Sequence, residues 1–193
     1  MKAILVNGSR REKGCTFTAL SLIAKELNAA GIDTEIYFIG KKVIDGKVDE
    51  AVKEVGEALS DADAFVVGSP VYYASPSGES QMFLDRLFMQ YGKDLKFKPA
   101  AAVASARRAG TTATLDGLNK YFMINQMPVV SSTYWNMVHG YTPEDVMKDE
   151  EGVQIMQNLG RNMAWILQCI EAGKAAGIEH PQEPATVRTN FIR

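Results

Sequence analysis

The sequence predicts an α/β protein built on a doubly wound, five-stranded parallel sheet with helices on both faces. Three observations carry that expectation. Five short apolar or β-branched runs recur along the 193 residues, each followed by a stretch with helical or loop character. The third run, Ala64–Gly68 (AFVVG), is continuously apolar, as a strand buried on both faces must be. No repeat, linker or low-complexity tract breaks the alternation, so a single domain over 1–193 accounts for the chain.

Taken in order, the first strand is Lys2–Asn7, and a helix from Thr16 to about Ala30 follows. Leu20, Ile23, Ala24 and Leu27 form its apolar face at i, i+3, i+4, i+7, and Gly31 stops it. Thr34–Ile39 alternates as a second strand. A polar connection, "GKKVIDGKVDE", leads to a helix with Val52, Val55 and Leu59, for which Asp49 is the candidate cap. After the third strand comes a helix over Glu79–Tyr91, with Phe83, Leu84, Leu87 and Phe88 on one face. Pro99–Ala104 reads as the fourth strand, followed by a helix through Leu115, Leu118 and Phe122. Pro128–Thr133 (PVVSST) reads as the fifth strand, and residues 134–152 as a long loop. A last helix spans about Val153–Ala176, and the tail from about 178, with Pro181 and Pro184, is expected to be extended.

Acidic and basic residues nearly balance at 23 and 21, and the sequence pI is 5.8. Neither a nucleic-acid backbone nor an anionic membrane surface finds a footprint there. No apolar segment reaches the ~20 residues of a membrane span, and the start has no signal-peptide pattern. The expectation is a cytoplasmic protein. Cys15 and Cys169, the two cysteines, support neither a disulfide framework nor a thiolate metal site.

In such sheets ligands bind beyond the carboxyl ends of the strands. The loops leaving those ends are "NGSRREKGCT", "GSPVYYASPSG" and "SARRAGTT", all rich in glycine, hydroxyls or arginine. The first fits neither a Walker A loop, since Lys13 precedes Gly14 and Cys15 follows, nor G-x-G-x-x-G, since Arg10 holds the second glycine's place. What remains is Ser9, Arg11, Cys15, Thr16 and Thr18 at a helix N-terminus, a cradle for one phosphate group.

"GSRREKGCT" resembles the G-S-x-R-x-x-x-[NSC]-T phosphate loop of the NADPH-dependent FMN reductase family, which has the flavodoxin-like fold. "GSPVYYASPSGESQMFLDRL" is similar to that family's second signature, and "SARRAGTTATLDGL" with "YWNMVHG" to its iron–sulfur flavoprotein branch. The resemblance implies that Ser9, Arg11, Cys15, Thr16 and Phe17 surround an FMN phosphate. It implies that Pro70, Val71, Tyr72, Tyr73 and Ala74 line the isoalloxazine ring, and that Ser105, Arg107, Arg108 and Gly110 lie under its pyrimidine side. A tricyclic apolar ring does need an aromatic or proline-rich wall and donors at its polar edge. The branch's cysteine cluster would fall in "IGKKVIDGKVDE", which has no cysteine, so no iron–sulfur cluster is expected.

The expected function is an FMN-dependent oxidoreductase that takes hydride from NAD(P)H and passes electrons to a small acceptor such as a quinone or a flavin. The alternatives are a flavodoxin-type electron carrier and a flavin-free regulatory domain of the same fold. Arg107 and Arg108 favour the enzyme, because carriers are acidic around the flavin. No catalytic side chain is required, since the hydride chemistry belongs to the cofactor; the two arginines could act electrostatically. His139 is read as part of a covering loop or a contact, and Arg161 and Arg188 receive no role. A homodimer or dimer of dimers is expected, with "YFMINQM" and "YWNMV" as contact surface.

Overall fold

The structure, a computed structural model, describes residues 1–182 together with 187, 189 and 191. The strands are β1 (Lys2–Asn7), β2 (Asp33–Phe38), β3 (Ala64–Tyr72), β4 (Ser75–Pro76), β5 (Ala100–Ala106) and β6 (Met137–His139). The helices are α1 (Cys15–Ala29), α2 (Gly40–Ile44), α3 (Val48–Ser60), α4 (Gly78–Leu95), α5 (Thr111–Ile124), α6 (Pro143–Val146) and α7 (Glu150–Ala175). Five parallel strands run in the order β2-β1-β3-β5-β6, and the two-residue β4 folds back antiparallel on β3. This is the doubly wound sheet that the alternation of runs predicts.

Each face of the sheet buries its own core. On one side Val52, Val55 and Leu59 of α3, Phe83, Leu84 and Leu87 of α4 and Leu118 and Phe122 of α5 pack on Ile4, Val6, Phe65 and Val67. On the other, Leu20, Ile23 and Leu27 of α1 and Met156, Leu159 and Met163 of α7 pack on Leu5, Val66 and Val103. The central strands are apolar and buried on both faces. Gly31, at φ +77°, takes the left-handed position after α1 that its sequence position predicts.

The fifth strand lies elsewhere than expected. Pro128–Thr133 contributes only one bridge, Val129 to Ala100, flanked by hydrogen bonds from Ala100 N–H to the Pro128 carbonyl and from Val130 N–H to the Ala100 carbonyl. The chain then leaves the sheet at 131–136 and returns as β6, pairing Met137–His139 with Ala104–Ala106. The edge strand is therefore split in two, and residues 134–152 are no loop but hold β6, α6 and the start of α7. The polar connection after β2 likewise contains α2, with Val43 buried. Asp49 does not cap α3: Lys47 occupies that position, and Asp49 in the first turn pairs with Arg86. Residues 178–182 form neither helix nor strand, with His180 stacked on Phe97 at 4.8 Å; Pro184 and Arg188 lie outside the described residues.

Candidate functional site

The loop after β1 is pinned from within and from both sides. Asn7 Oδ1 accepts from the Ser9 N–H at 3.0 Å, Asn7 Nδ2 donates to the Glu12 carbonyl, and Ser9 Oγ accepts from the Arg11 N–H at 3.1 Å. The Gly8 N–H bonds the Gly68 carbonyl, and Ser77 at the start of α4 donates to the Gly8 carbonyl. A Cβ at Gly8 would sit 1.9 Å from Ser80 Oγ, so this close approach admits only glycine. On the far side, a Cβ on Gly40 of α2 would collide with the Ser9 carbonyl.

Above the carboxyl ends of β1, β3 and β5 lies a cleft of about 220 Å³. Ser9, Arg11, Cys15, Thr16, Pro70, Val71, Tyr72, Ser105 and Arg107 line it, all of them residues that the sequence singles out. Phe17, Tyr73, Ala74, Arg108 and Gly110 do not. Phe17 is half-buried on α1, and Tyr73 is fully exposed at the hairpin tip. Arg108 offers its carbonyl to His139 Nε2 at 3.0 Å. Gly110 stands behind the wall: at φ +96° its absent Cβ would lie 2.9 Å from Ala74 Cα and Val71 Cγ1. Tyr73 and Ala74 have φ of 51° and 55°, the positive values a type I′ hairpin turn requires, here met without glycine.

Four lining residues escape the sequence reading: Gly14, Ala106, Gly140 and Tyr141. Gly140 and Tyr141 follow β6 directly, so placing the fifth strand at Pro128–Thr133 hides them. His139 supports this wall, its N–H donating to Asp149 Oδ2 at 2.7 Å. Thr142 and Asp145 close a capping box that starts α6. Lys148, followed by the backbone N–H groups of Thr142 and Tyr141, holds the Asp145 carboxyl below its usual range. Arg161 ties α7 to α1 through Glu26 at 2.8 Å, a structural position away from the cleft.

The cleft favours an anion. Among the described residues, α4 and α7 start on side-chain caps and α3 carries Asp49 and Glu50 in its first turn. The N-termini of α1 and α5 have neither a side-chain cap nor an acid. The start of α1, Cys15 and Thr16, lines the cleft, so the positive end of that helix dipole opens into it. Arg11 and Arg107 form no ion pair among the described residues and face the same opening. Deeper in, Thr16 Oγ1 and Ser105 Oγ share a hydrogen bond of 2.8 Å that joins α1 to β5. Burial pushes the Cys15 thiol up, against its own backbone N–H and Arg11, so it stays protonated and donates to the Gly140 carbonyl.

Residues 1–142 match the model of the family described as NADPH-dependent FMN reductase. The chain belongs to that family of FMN-binding flavoprotein oxidoreductases. Iron-sulfur flavoprotein MJ1083 of Methanocaldococcus jannaschii is 30% identical over 89% of this chain and 100% of its own length. A second one, MJ0731 of the same organism, is 26% identical over 81% of this chain and 92% of its own length. Among solved structures, RosB with bound 8-demethyl-8-formylriboflavin-5′-phosphate superposes with a TM-score of 0.71 at 14% identity, covering 100% of this chain and 92% of that one. A WrbA-like flavodoxin from Agrobacterium tumefaciens gives 0.67, also at 14% identity, over 87% and 97%. These likenesses show the flavodoxin-like fold.

Proposed function

We propose that the cleft holds FMN and that the protein is an FMN-dependent oxidoreductase which accepts hydride from NAD(P)H and passes electrons to a small acceptor. The observation that carries this reading is the uncapped N-terminus of α1, with Arg11 beside it, opening into a cleft walled by Pro70 and Tyr72. That donor set suits one phosphate dianion next to one aromatic ring. FMN, when bound, supplies the hydride-accepting chemistry. Ser9, Arg11, Cys15, Thr16 and the α1 N–H groups bind the phosphate. Pro70, Val71 and Tyr72 orient the ring, and Arg107 faces its polar edge. Of the residues outside the lining, Gly110 packs behind Val71 and Ala74. The cleft opens to solvent, where a nicotinamide or an acceptor would approach the ring.

The curated relatives are named iron-sulfur flavoproteins, but this chain has only two cysteines, Cys15 at the start of α1 and Cys169 exposed on α7. A [4Fe–4S] centre takes four thiolates, so electrons leave from the flavin without a cluster. The reading extends to a cytoplasmic homodimer or dimer of dimers. An electron carrier is the second reading, and the unpaired Arg107 beside the cleft argues against it.

The test is a spectrum of the protein after anaerobic purification, followed by mixing with NADH or NADPH. FMN in the released cofactor, no stoichiometric iron or acid-labile sulfide, and bleaching by a nicotinamide are the expected results. A colourless protein would overturn the flavin assignment. Flavin that neither nicotinamide reduces would give the case to the carrier.

A further inference from the structure

Arg10 and Arg11 are neighbours in the loop, yet their guanidinium groups lie against opposite walls of the cleft. Arg10 sits 5.7 Å from the centre of the Tyr72 ring, and Arg11 sits 5.6 Å from that of Tyr141. Tyr72, Tyr141 and Arg11 line the cleft; Arg10 does not. Arg10 therefore meets the Tyr72 ring without itself lining the cleft.

Glu79 holds Arg10 there. Its side chain is 8% exposed, in the first turn of α4, and its Oε1 accepts from Arg10 Nε at 2.7 Å. Its other oxygen, Oε2, is buried with no hydrogen-bond partner. A buried carboxylate left half-satisfied is costly, and losing its one cation would cost more than the pair is worth in isolation. Arg10 Nε is thus committed to Glu79, whereas Arg11 has no carboxylate partner among the described residues.

Resting on the flavin reading above, we propose that Glu79 and Arg10 are positioning residues: they brace Tyr72 as the ring wall, while Arg11 alone of the two arginines serves the phosphate. The loop that cradles the phosphate then also sets where the ring can lie. A cation against an aromatic face is the weakly attractive arrangement that fixes a ring without touching the ligand.

Riboflavin, which lacks the phosphate, separates the two roles from FMN. Arg11→Ala should weaken FMN by about tenfold or more, the scale of a charge-assisted hydrogen bond, and leave riboflavin nearly unchanged. Arg10→Met should weaken both ligands by the same factor, about two- to fivefold. Glu79→Gln, which keeps the side-chain volume, should weaken riboflavin as Arg10→Met does and add nothing in the Arg10→Met background. In a Tyr72→Leu background both effects on FMN affinity should vanish. That cycle needs FMN alone, so it decides even where riboflavin binds too weakly to titrate, and melting temperatures measured alongside separate bracing from folding. Loss of FMN with riboflavin spared in Arg10→Met would make Arg10 a phosphate ligand and overturn the proposal. So would undiminished effects in the Tyr72→Leu background. Failure of the wild-type protein to bind either flavin would instead sink the reading on which the proposal rests.

Discussion

Cys15 Sγ lies 3.5 Å from the Gly140 carbonyl oxygen, joining the first residue of α1 to the segment that leaves β6. The contact fixes the spacing between the loop after β1 and the wall that carries Tyr141.

The thiol in that contact should behave as a weak acid. Burial raises its pKa above the usual ~8.5 for a cysteine, so the folded state keeps the proton where the unfolded chain would release it. The sign follows: the thiol's contribution to stability is intact below the unfolded pKa and is lost as pH rises through the folded one. Iodoacetamide at neutral pH should therefore label the exposed Cys169 first and Cys15 only slowly, with the Cys15 rate climbing in the alkaline range. Mass spectrometry of the labelled peptides reads both sites, and equal rates at neutral pH would contradict the assignment.

Arg107 is exposed, lines the cleft and forms no ion pair among the described residues. Placed at the polar edge of a flavin, it would stabilise the negative charge that two-electron reduction leaves there. Arg107→Ala should slow reduction by NAD(P)H by about tenfold or more, while FMN affinity falls by much less, because the proposed phosphate contacts lie in the loop after β1. Stopped-flow reduction beside a flavin titration separates the two. Wild-type kinetics would mean that the side chain serves only the solvent.

Residues 121–142 contain no Asp, Glu, Lys or Arg. Along them Val129, Tyr134 and Trp135 are exposed, and Trp165 is exposed on α7, whose Asn158 and Asn162 bond to Thr133 and Ser131. An uncharged stretch that exposes Tyr134 and Trp135, beside a helix that exposes Trp165, is unlike the charged edges of monomers and is a candidate subunit contact. Light scattering should report a dimer or larger at micromolar concentration, and Trp165→Lys or Trp135→Lys should shift it toward the monomer. A wild-type monomer would refute the interface.

Ala74 occupies left-handed backbone space at φ 55°, which costs a residue with a Cβ about 1–2 kcal/mol and glycine much less. Ala74→Gly should raise stability by up to about 1 kcal/mol once the added freedom of the unfolded chain is subtracted. A urea midpoint with unchanged slope measures it, and a loss of stability would show that the Ala74 methyl contributes packing against Gly110.

Much of this was legible in the residues, and the misses have a common cause. β1, β3 and β5 announce themselves because strands buried on both faces must be apolar throughout, and α1 because one apolar stripe meets α7. The edge strand is different. "PVVSST" has the β-branched composition of a strand, but strand identity at an edge depends on which backbone groups β5 offers, and those pair with 128–130 and then with 137–139. No local pattern records that register. Tyr141 is hidden with it, whereas Ser9, Arg11, Thr16 and Tyr72, which line the cleft, stand in loops whose hydroxyl, guanidinium and aromatic groups single them out. Glu79 is not singled out by the sequence; only its burial against Arg10 separates it from an ordinary first-turn acid.

β3 outruns its neighbour β1. Their pairing ends at Asn7 with Gly68, while Ser69 and Pro70 keep only β5, and Val71 and Tyr72 only the two residues of β4. The same strand thus belongs to two regimes of time. Amides at Phe65–Val67, clamped on both sides, should exchange with solvent only when the whole molecule opens, whereas those from Val71 to Ser75 should be released by a fluctuation of one hairpin. The wall of the cleft can breathe on its own clock, admitting or releasing a tight ligand while the sheet beneath it never comes apart.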